Sequence, residues 1–277
     1  MYTDFYKFRG RPFQLSPDPR FFFEGRSHKK AIAYLNYGIS QCEGFVVITG
    51  EIGAGKTTLL DYVLSTFVGR NLVAAKIVTT HLDGDDLLRT VAAAFDIPQE
   101  GTNKATIVKR LESFLLDCHR TKKCVLLFVD EAQNLPHSAL EELRMLSNIA
   151  ASGQSLLQIY LVAQPEFRRT IASKSMEQLR QRVITSYHLR PLDPDETRQY
   201  IEHRLQRVGW DDDPSFTERS FQMIHEATGG VPRKINLLCD RLLLLGYLEE
   251  IHEIDGDTVQ EVILDMHTEG SATALSA

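Results

Sequence analysis

No stretch of this sequence is apolar for long enough to cross a bilayer. A spanning helix needs about 20 apolar residues in a row, and the run "LLLLG" at 242–246 reads as one face of a shorter helix. The first residues, "MYTDFYKFRGRPF", mix aromatic and charged side chains where a secretory leader needs an apolar centre. A cytoplasmic protein is the expectation. Cysteine is scarce as well. Cys42, Cys118, Cys124 and Cys239 form no Cys-x-x-Cys pair and no metal-ligand spacing, so reduced, buried thiols are expected rather than a structural metal. None of the 9 histidines stands at ligand spacing to a carboxylate or thiol. Low-complexity tracts are missing too. That leaves 277 residues, 43% of them hydrophobic, for one large domain or two modest ones.

Positive charge runs short only in the last third. Residues 1–190 carry 24 Lys/Arg against 19 Asp/Glu, whereas 191–277 carry 7 against 18. A phosphate-handling first part followed by an acidic second part has this balance. The acidic part is a poor nucleic-acid surface, because binding there would lack the free energy of counterion release.

What is present is a strand–helix alternation. Ala31, Ile32, Leu35 and Ile39 recur at helical spacing within 26–41. Apolar strands are predicted at 45–49, 72–78, 124–129, 156–164 and 183–189, with helices at 56–67, 85–96, 104–120, 139–150 and about 175–182. In the fourth of these helices Leu140, Leu143, Met145 and Leu146 supply the apolar stripe, and Pro136 stands where the helix can begin. Strands apolar on both faces and alternating with helices imply a parallel sheet covered on both sides. After "RPLDPDE" the pattern becomes all-helical. Asp193 and Glu196 form a capping box around Pro194, and four helices near 194–208, 215–228, 232–249 and 257–267 follow without a convincing strand. The expected organisation is an N-terminal linker and helix (1–44), an α/β core (45–190), a helical lid (191–268) and a disordered tail (269–277).

The glycine loop between the first strand and its helix carries the chemistry. Gly50-Glu51-Ile52-Gly53-Ala54-Gly55-Lys56-Thr57 matches the full P-loop spacing, with a strand before it and a helix after it. Glycines let successive N–H groups point at phosphate oxygens, and the helix N-terminus favours the same anion. Residues 50–58, including Thr58, are therefore the nucleotide cradle. Lys56 reaches the outer phosphates and Thr57 ligates Mg²⁺. The strand ending "VLLFVDEAQ" places Asp130 to hold the Mg²⁺ hydration shell and Glu131 beside it to polarise the attacking water. A further strand and two helices separate this pair from the cradle, and the guanine-reading pattern Asn-Lys-x-Asp is absent. ATP, with Mg²⁺, is the expected nucleotide.

The set "SPDPRFFF", "GEIGAGKTTLL", "DEAQNL", "AQPEF", "LRQRV" and "GGVPRKINLLCDRLLL" resembles the AAA+ ATPases, in particular the bacterial secretion branch called general secretion pathway protein A. It looks most like the subfamily of exosortase/PEP-CTERM exopolysaccharide clusters. The resemblance runs from about residue 2 to about residue 265. It implies a P-loop core with a five-stranded parallel sheet and a small helical lid. It further implies Gln164 as a sensor of the γ-phosphate or attacking water and Arg233 as a second sensor from the lid. Arg182, with Arg180 as second choice, would be an arginine finger given to a neighbouring subunit. Phe21, Phe22 and Phe23 either line a pocket for the base or only anchor the N-terminal segment.

The implied function is an ATPase that works as a homo-oligomer, ring or filament, on a protein partner of an envelope secretion or exopolysaccharide export apparatus. It would be peripheral at the inner membrane through that partner. Longer members of the branch continue into a membrane segment and a peptidoglycan-binding domain that are not carried over to this sequence. Ala163 stands where the branch commonly has glycine. The alternative is an ATP-dependent DNA-binding regulator like the ATPases of transposons and replication initiators. Lys29, Lys30, Lys122 and Lys123 are its scattered candidate contacts. A small-molecule kinase would leave Glu131 and Arg233 without a purpose.

Overall fold

The computed structural model describes all residues except 17, 67–70, 80–82, 100–102 and 275–277, and the side chains of 269–274 are likewise outside it. Five strands, β1 (Gly44–Gly50), β2 (Leu72–Val78), β3 (Cys124–Asp130), β4 (Leu157–Ala163) and β5 (Val183–Leu189), form one sheet in the order β2-β3-β4-β1-β5. Every pairing in it is parallel. The three central strands are buried along nearly their whole length, while the edge strands β2 and β5 are only partly covered. Continuous apolar runs such as "CVLLFV" belong in that central position, since both faces of the strand lose water.

The chain divides into two compact units: His28–Ile52 with Leu59–Leu189, and Met1–Ser27 with Gly53–Thr58 and Arg190–Ala277. In the first unit, Phe45, Val47, Leu127, Val129, Ile159 and Leu161 turn one sheet face toward α3 (Gly84–Ala94), α4 (Lys104–Arg120) and α5 (His137–Leu146). The other face carries Val46, Ile48, Phe128 and Tyr160, with the Phe128 and Tyr160 rings stacked 4.5 Å apart. Tyr160 donates its hydroxyl proton to the Leu35 carbonyl of α1 (Arg26–Gln41). A side chain at Gly38 on that helix would meet Val46 at 2.6 Å, so α1 lies close on the sheet only because position 38 has none.

The second unit is built on α6 (Pro194–Arg207), α7 (Glu218–Thr228), α8 (Pro232–Leu248) and α9 (Gly256–Ala274). Asp193 and Glu196 form the capping box the sequence predicts, and both carboxylates also pair with Arg26. The N-terminal segment packs here rather than serving as a plain linker. Tyr2, Tyr6, Phe8 and Phe13 are buried with Leu205, Leu238 and Leu242, and buried Arg204 donates to the carbonyls of Pro12 and Gln14. Burial, together with a hydrogen bond to Asp240, pushes the Tyr2 hydroxyl up to about 12.

Several expectations need correction. Met145 is exposed, because α5 buries Ala139, Leu140, Leu143 and Leu146 and position 145 falls off that face. The helix expected near 175–182 is a short turn, Lys174–Met176, followed by Glu177–Arg180. The acidic part holds a two-residue parallel pair, Ser215–Phe216 with Glu253–Ile254, and the first unit a hairpin of Ala150–Ala151 with Gln154–Ser155. Pairs this short leave no periodicity to read. The last helix runs to Ala274, through most of the expected tail, and 275–277 fall outside the described residues. Residue 67, expected at the end of the cradle helix, is also outside them. Finally, Cys42 and Cys124 are joined as a disulfide, whereas Cys118 and Cys239 are free and buried. The pair escapes sequence reading because the end of α1 and the start of β3 meet only through the sheet.

Candidate active site

β1, β3 and β4 are neighbours running in the same direction, so their carboxyl ends share one edge of the sheet. The glycine loop leaves β1 at that edge, Asp130 is the last residue of β3, and Gln164 directly follows β4. Parallel sheets offer their ligand crevices at this edge.

The loop takes the conformation its glycines permit. Gly53 and Gly55 have φ of 84° and 88°. The chain then enters α2 (Lys56–Ser65), with Ala54 and the Lys56 side chain buried, Thr57 and Thr58 partly so, and Glu51 and Ile52 exposed. Gly53 is constrained twice. A Cβ there would lie 2.5 Å from Cβ of Arg233, whose backbone N–H donates to the Gly53 carbonyl over 3.1 Å. Arg233, the second residue of α8, thus rests on the loop itself with its side chain exposed. Gly230, just ahead of that helix, has φ of 69° and its missing Cβ would overlap the Leu192 carbonyl, while Gly229 before it closes the preceding helix in the left-handed region, φ 59°.

Asp130 is 2% exposed, and its Oδ1 accepts the Glu131 N–H at 3.0 Å. Glu131 occupies the left-handed region, φ 54° and ψ 38°, an unusual place for a residue with a side chain. Strain of this kind concentrates at functional sites. Its Oε2 accepts from Gln133 Nε2 at 2.5 Å and from Gln164 Nε2 at 3.3 Å, while the Gln164 N–H donates to Gln133 Oε1 at 3.0 Å. Beneath this cluster Thr79, fully buried, donates its hydroxyl to the carbonyls of Asp130 and Glu131, and Asn134 donates to the Thr79 carbonyl.

Asp130, Glu131 and Gln164 are therefore brought together as the sequence predicts, and Arg233 meets Gly53. The two finger candidates lie elsewhere. Arg182 is exposed immediately before β5 and donates to the Ser147 carbonyl at 3.2 Å; Arg180 is exposed and donates to the Ala172 carbonyl at 3.0 Å. Phe21 lies under the Arg204 guanidinium and Phe23 packs on Tyr200 and His203, so these two rings anchor the N-terminal segment on α6. Phe22 is buried. Sequence reasoning passed over Gln133 and Thr79. Gln133 stood inside the quoted "DEAQ" motif, but its double hydrogen bond needs Gln164, 31 residues away, to be visible.

Each unit carries groups that suit a nucleoside triphosphate: in one, a loop of backbone N–H groups with a buried lysine at its helix; in the other, a buried carboxylate beside one that can polarise water. Comparison with known proteins agrees. Residues 40–171 match the family model described as "AAA domain". General secretion pathway protein A of Aeromonas hydrophila is 36% identical over 256 residues, covering 92% of this chain but 46% of that protein, so the chain spans about half the length of its curated relative. Among solved structures, the ORC2 protein of Aeropyrum pernix in ADPNP–ADP complexes superposes with a TM-score of 0.68 at 18% identity, covering 91% of this chain and 71% of that one. The Aeropyrum pernix ORC1 protein in complex with DNA gives 0.67 at 15%, covering 94% and 70%. At these identities the structural likeness speaks for the fold. The fold is that of the P-loop ATPases, residues 40–171 match the AAA domain, and the chain is related over 92% of its length to general secretion pathway protein A.

Proposed function

We propose that this chain is an ATP hydrolase that works as a homo-oligomer, with Arg182 of one subunit completing the active site of its neighbour. The ATP and ADP states then differ in their grip on a protein partner of an envelope secretion or exopolysaccharide export apparatus. A difference of affinity between the two states is what lets hydrolysis act on a partner. In each subunit the backbone of Gly50–Gly55 and the Lys56 amine bind the phosphates. Glu131 orients and polarises the attacking water, Gln164 senses the γ-phosphate and Arg233 reports its presence to the helical part. Thr57 and Asp130 have the oxygen donors that Mg²⁺ prefers. When bound there, the ion offsets charge on the outer phosphates. The protein partner, the exosortase/PEP-CTERM subfamily and a place at the inner membrane rest on the motifs "SPDPRFFF", "AQPEF" and "GGVPRKIN" and on the relatedness to general secretion pathway protein A.

The observation that carries the shared site is the position of Arg182. It sits at the amino end of β5, whereas Glu131 and Gln164 stand at the carboxyl edge of the same sheet. Strands here have 7 residues, a length of roughly 20 Å. An exposed guanidinium that far from the catalytic edge of its own sheet is suited to another subunit's nucleotide, where a finger in trans is worth roughly 10³–10⁵ in rate.

The test is the specific ATPase rate against protein concentration, for wild type, Arg182→Ala and Arg180→Ala. We expect the rate per wild-type molecule to rise with concentration and the Arg182→Ala rate to stay low and flat. Arg180→Ala should behave as wild type. Flat profiles for all three would overturn the shared site.

A further inference from the structure

We propose that Gln133 is a positioning residue for ATP hydrolysis, its one amide tying the Glu131 carboxylate to the main chain of Gln164. The proposal rests on Glu131 as the water-polarising group and Gln164 as the phosphate sensor.

The sheet itself does not hold these two residues together. The ladder between β3 and β4 ends at Val129 and Leu161, so the strands have parted where Asp130, Glu131 and Gln164 follow. Past that point the Gln133 side chain takes over as the link. Its position in the turn Ala132–Asn134, entered through the left-handed Glu131, folds it back over the strand ends. The polarity of the amide is determined by its partners. A carboxylate only accepts and a backbone N–H only donates, so Nε2 must face Glu131 and Oε1 must face Gln164. No other residue type of this length has a donor and an acceptor so arranged: glutamate lacks the donor, and asparagine is shorter by one methylene.

The arrangement also sorts the two oxygens of Glu131. The side-chain amides of Gln133 and Gln164 both donate to Oε2. A carboxylate anchored by one oxygen has its other oxygen, Oε1, aimed in a set direction. That direction, rather than the presence of the carboxylate, is what a near-attack water requires. Because Gln133 also grips the Gln164 backbone, a shift of the sensor on loss of the γ-phosphate is passed directly to Glu131.

The experiment compares Gln133→Met, which keeps length without hydrogen bonds, Gln133→Glu, which keeps only the acceptor, and Glu131→Gln, all in the full chain. We expect Gln133→Met to lower kcat roughly 10- to 100-fold, the usual loss for a group acting through its neighbour. KM for ATP, binding of a non-hydrolysable analogue and Tm should stay as in wild type. Gln133→Glu should be lower still, since it sets a second carboxylate against Glu131. Added to Glu131→Gln, the Gln133→Met change should cost nothing further, because the two act as a unit. Wild-type kcat in both Gln133 variants, beside an inactive Glu131→Gln, overturns the proposal. So does a loss of kcat that only follows a loss of Tm and nucleotide binding. If Gln133→Met does not fold, Gln133→Glu with wild-type kcat overturns it alone. An active Glu131→Gln would instead remove the reading of Glu131 on which the proposal stands.

Discussion

Gly53 shows how much one residue of the phosphate loop is asked to do. The P-loop spacing constrains only Gly50, Gly55, Lys56 and Thr57, and position 53 could hold many residues as far as that pattern goes. In the fold its φ of 84° is closed to most side chains, and a Cβ added there would run into the Cβ of Arg233. An L-residue in left-handed backbone costs about 1–2 kcal/mol, and the displaced Arg233 adds to it. Gly53→Ala should therefore weaken binding of a fluorescent ATP analogue by at least about tenfold. A titration giving wild-type affinity would mean that the loop tolerates both intrusions. Glu131 and Gln133 carry the same message. Their types were legible in "DEAQ", but the left-handed turn and the amide bridge depend on where Gln164 arrives.

At the scale of elements, the sheet strands and most long helices were read with little error, the last helix excepted. β2, β5, α1 and α4 begin and end where the sequence patterns place them. Their hydrophobic periods are long enough to average out local exceptions, and Asp193 with Glu196 marks the start of α6 chemically. The disulfide was not legible in this way. Cys42 closes the connection out of α1, Cys124 opens β3, and 82 residues separate them. Closing a chain segment of that size is worth about 4 kcal/mol in the loop-entropy picture. Reduction should therefore lower Tm by roughly 10 °C. Burial raises the thiols of both Cys118 and Cys239, which keeps them protonated and slow to react in the folded protein. After denaturation without reductant, alkylation should label these two alone; labelling of all four would show that the bridge is absent in solution.

On the scale of the molecule the decisive quantity is charge. The formal net charge is −6, and 191–277 contribute 7 basic against 18 acidic residues. An acidic surface repels a phosphate backbone, and affinity for duplex DNA at physiological salt depends on neutralising phosphates. Mixed with random-sequence duplex DNA in the presence of Mg-ATP, the protein should leave its mobility unchanged at 150 mM salt, an ionic strength where the Debye length is about 8 Å. A complex that dissociates steeply as salt rises would point to a basic stripe on the α/β unit instead, and the DNA-binding alternative would regain its place.

Composition, period and spacing determined the class of fold, the cradle and the acidic pair, because those depend on residues close together in the chain. Hydrophobic runs dictate which strands are central, and a P-loop is one continuous peptide. Which distant groups meet was decided only by the tertiary structure. The parallel order β2-β3-β4-β1-β5 sets Asp130 and Gln164 on one edge, and only then can Gln133 join them. The packing of α8 on the loop sets Arg233 over Gly53, and the sheet brings Cys42 to Cys124. Contacts across such separations follow from how the layers stack, a property of the whole chain that no local pattern contains.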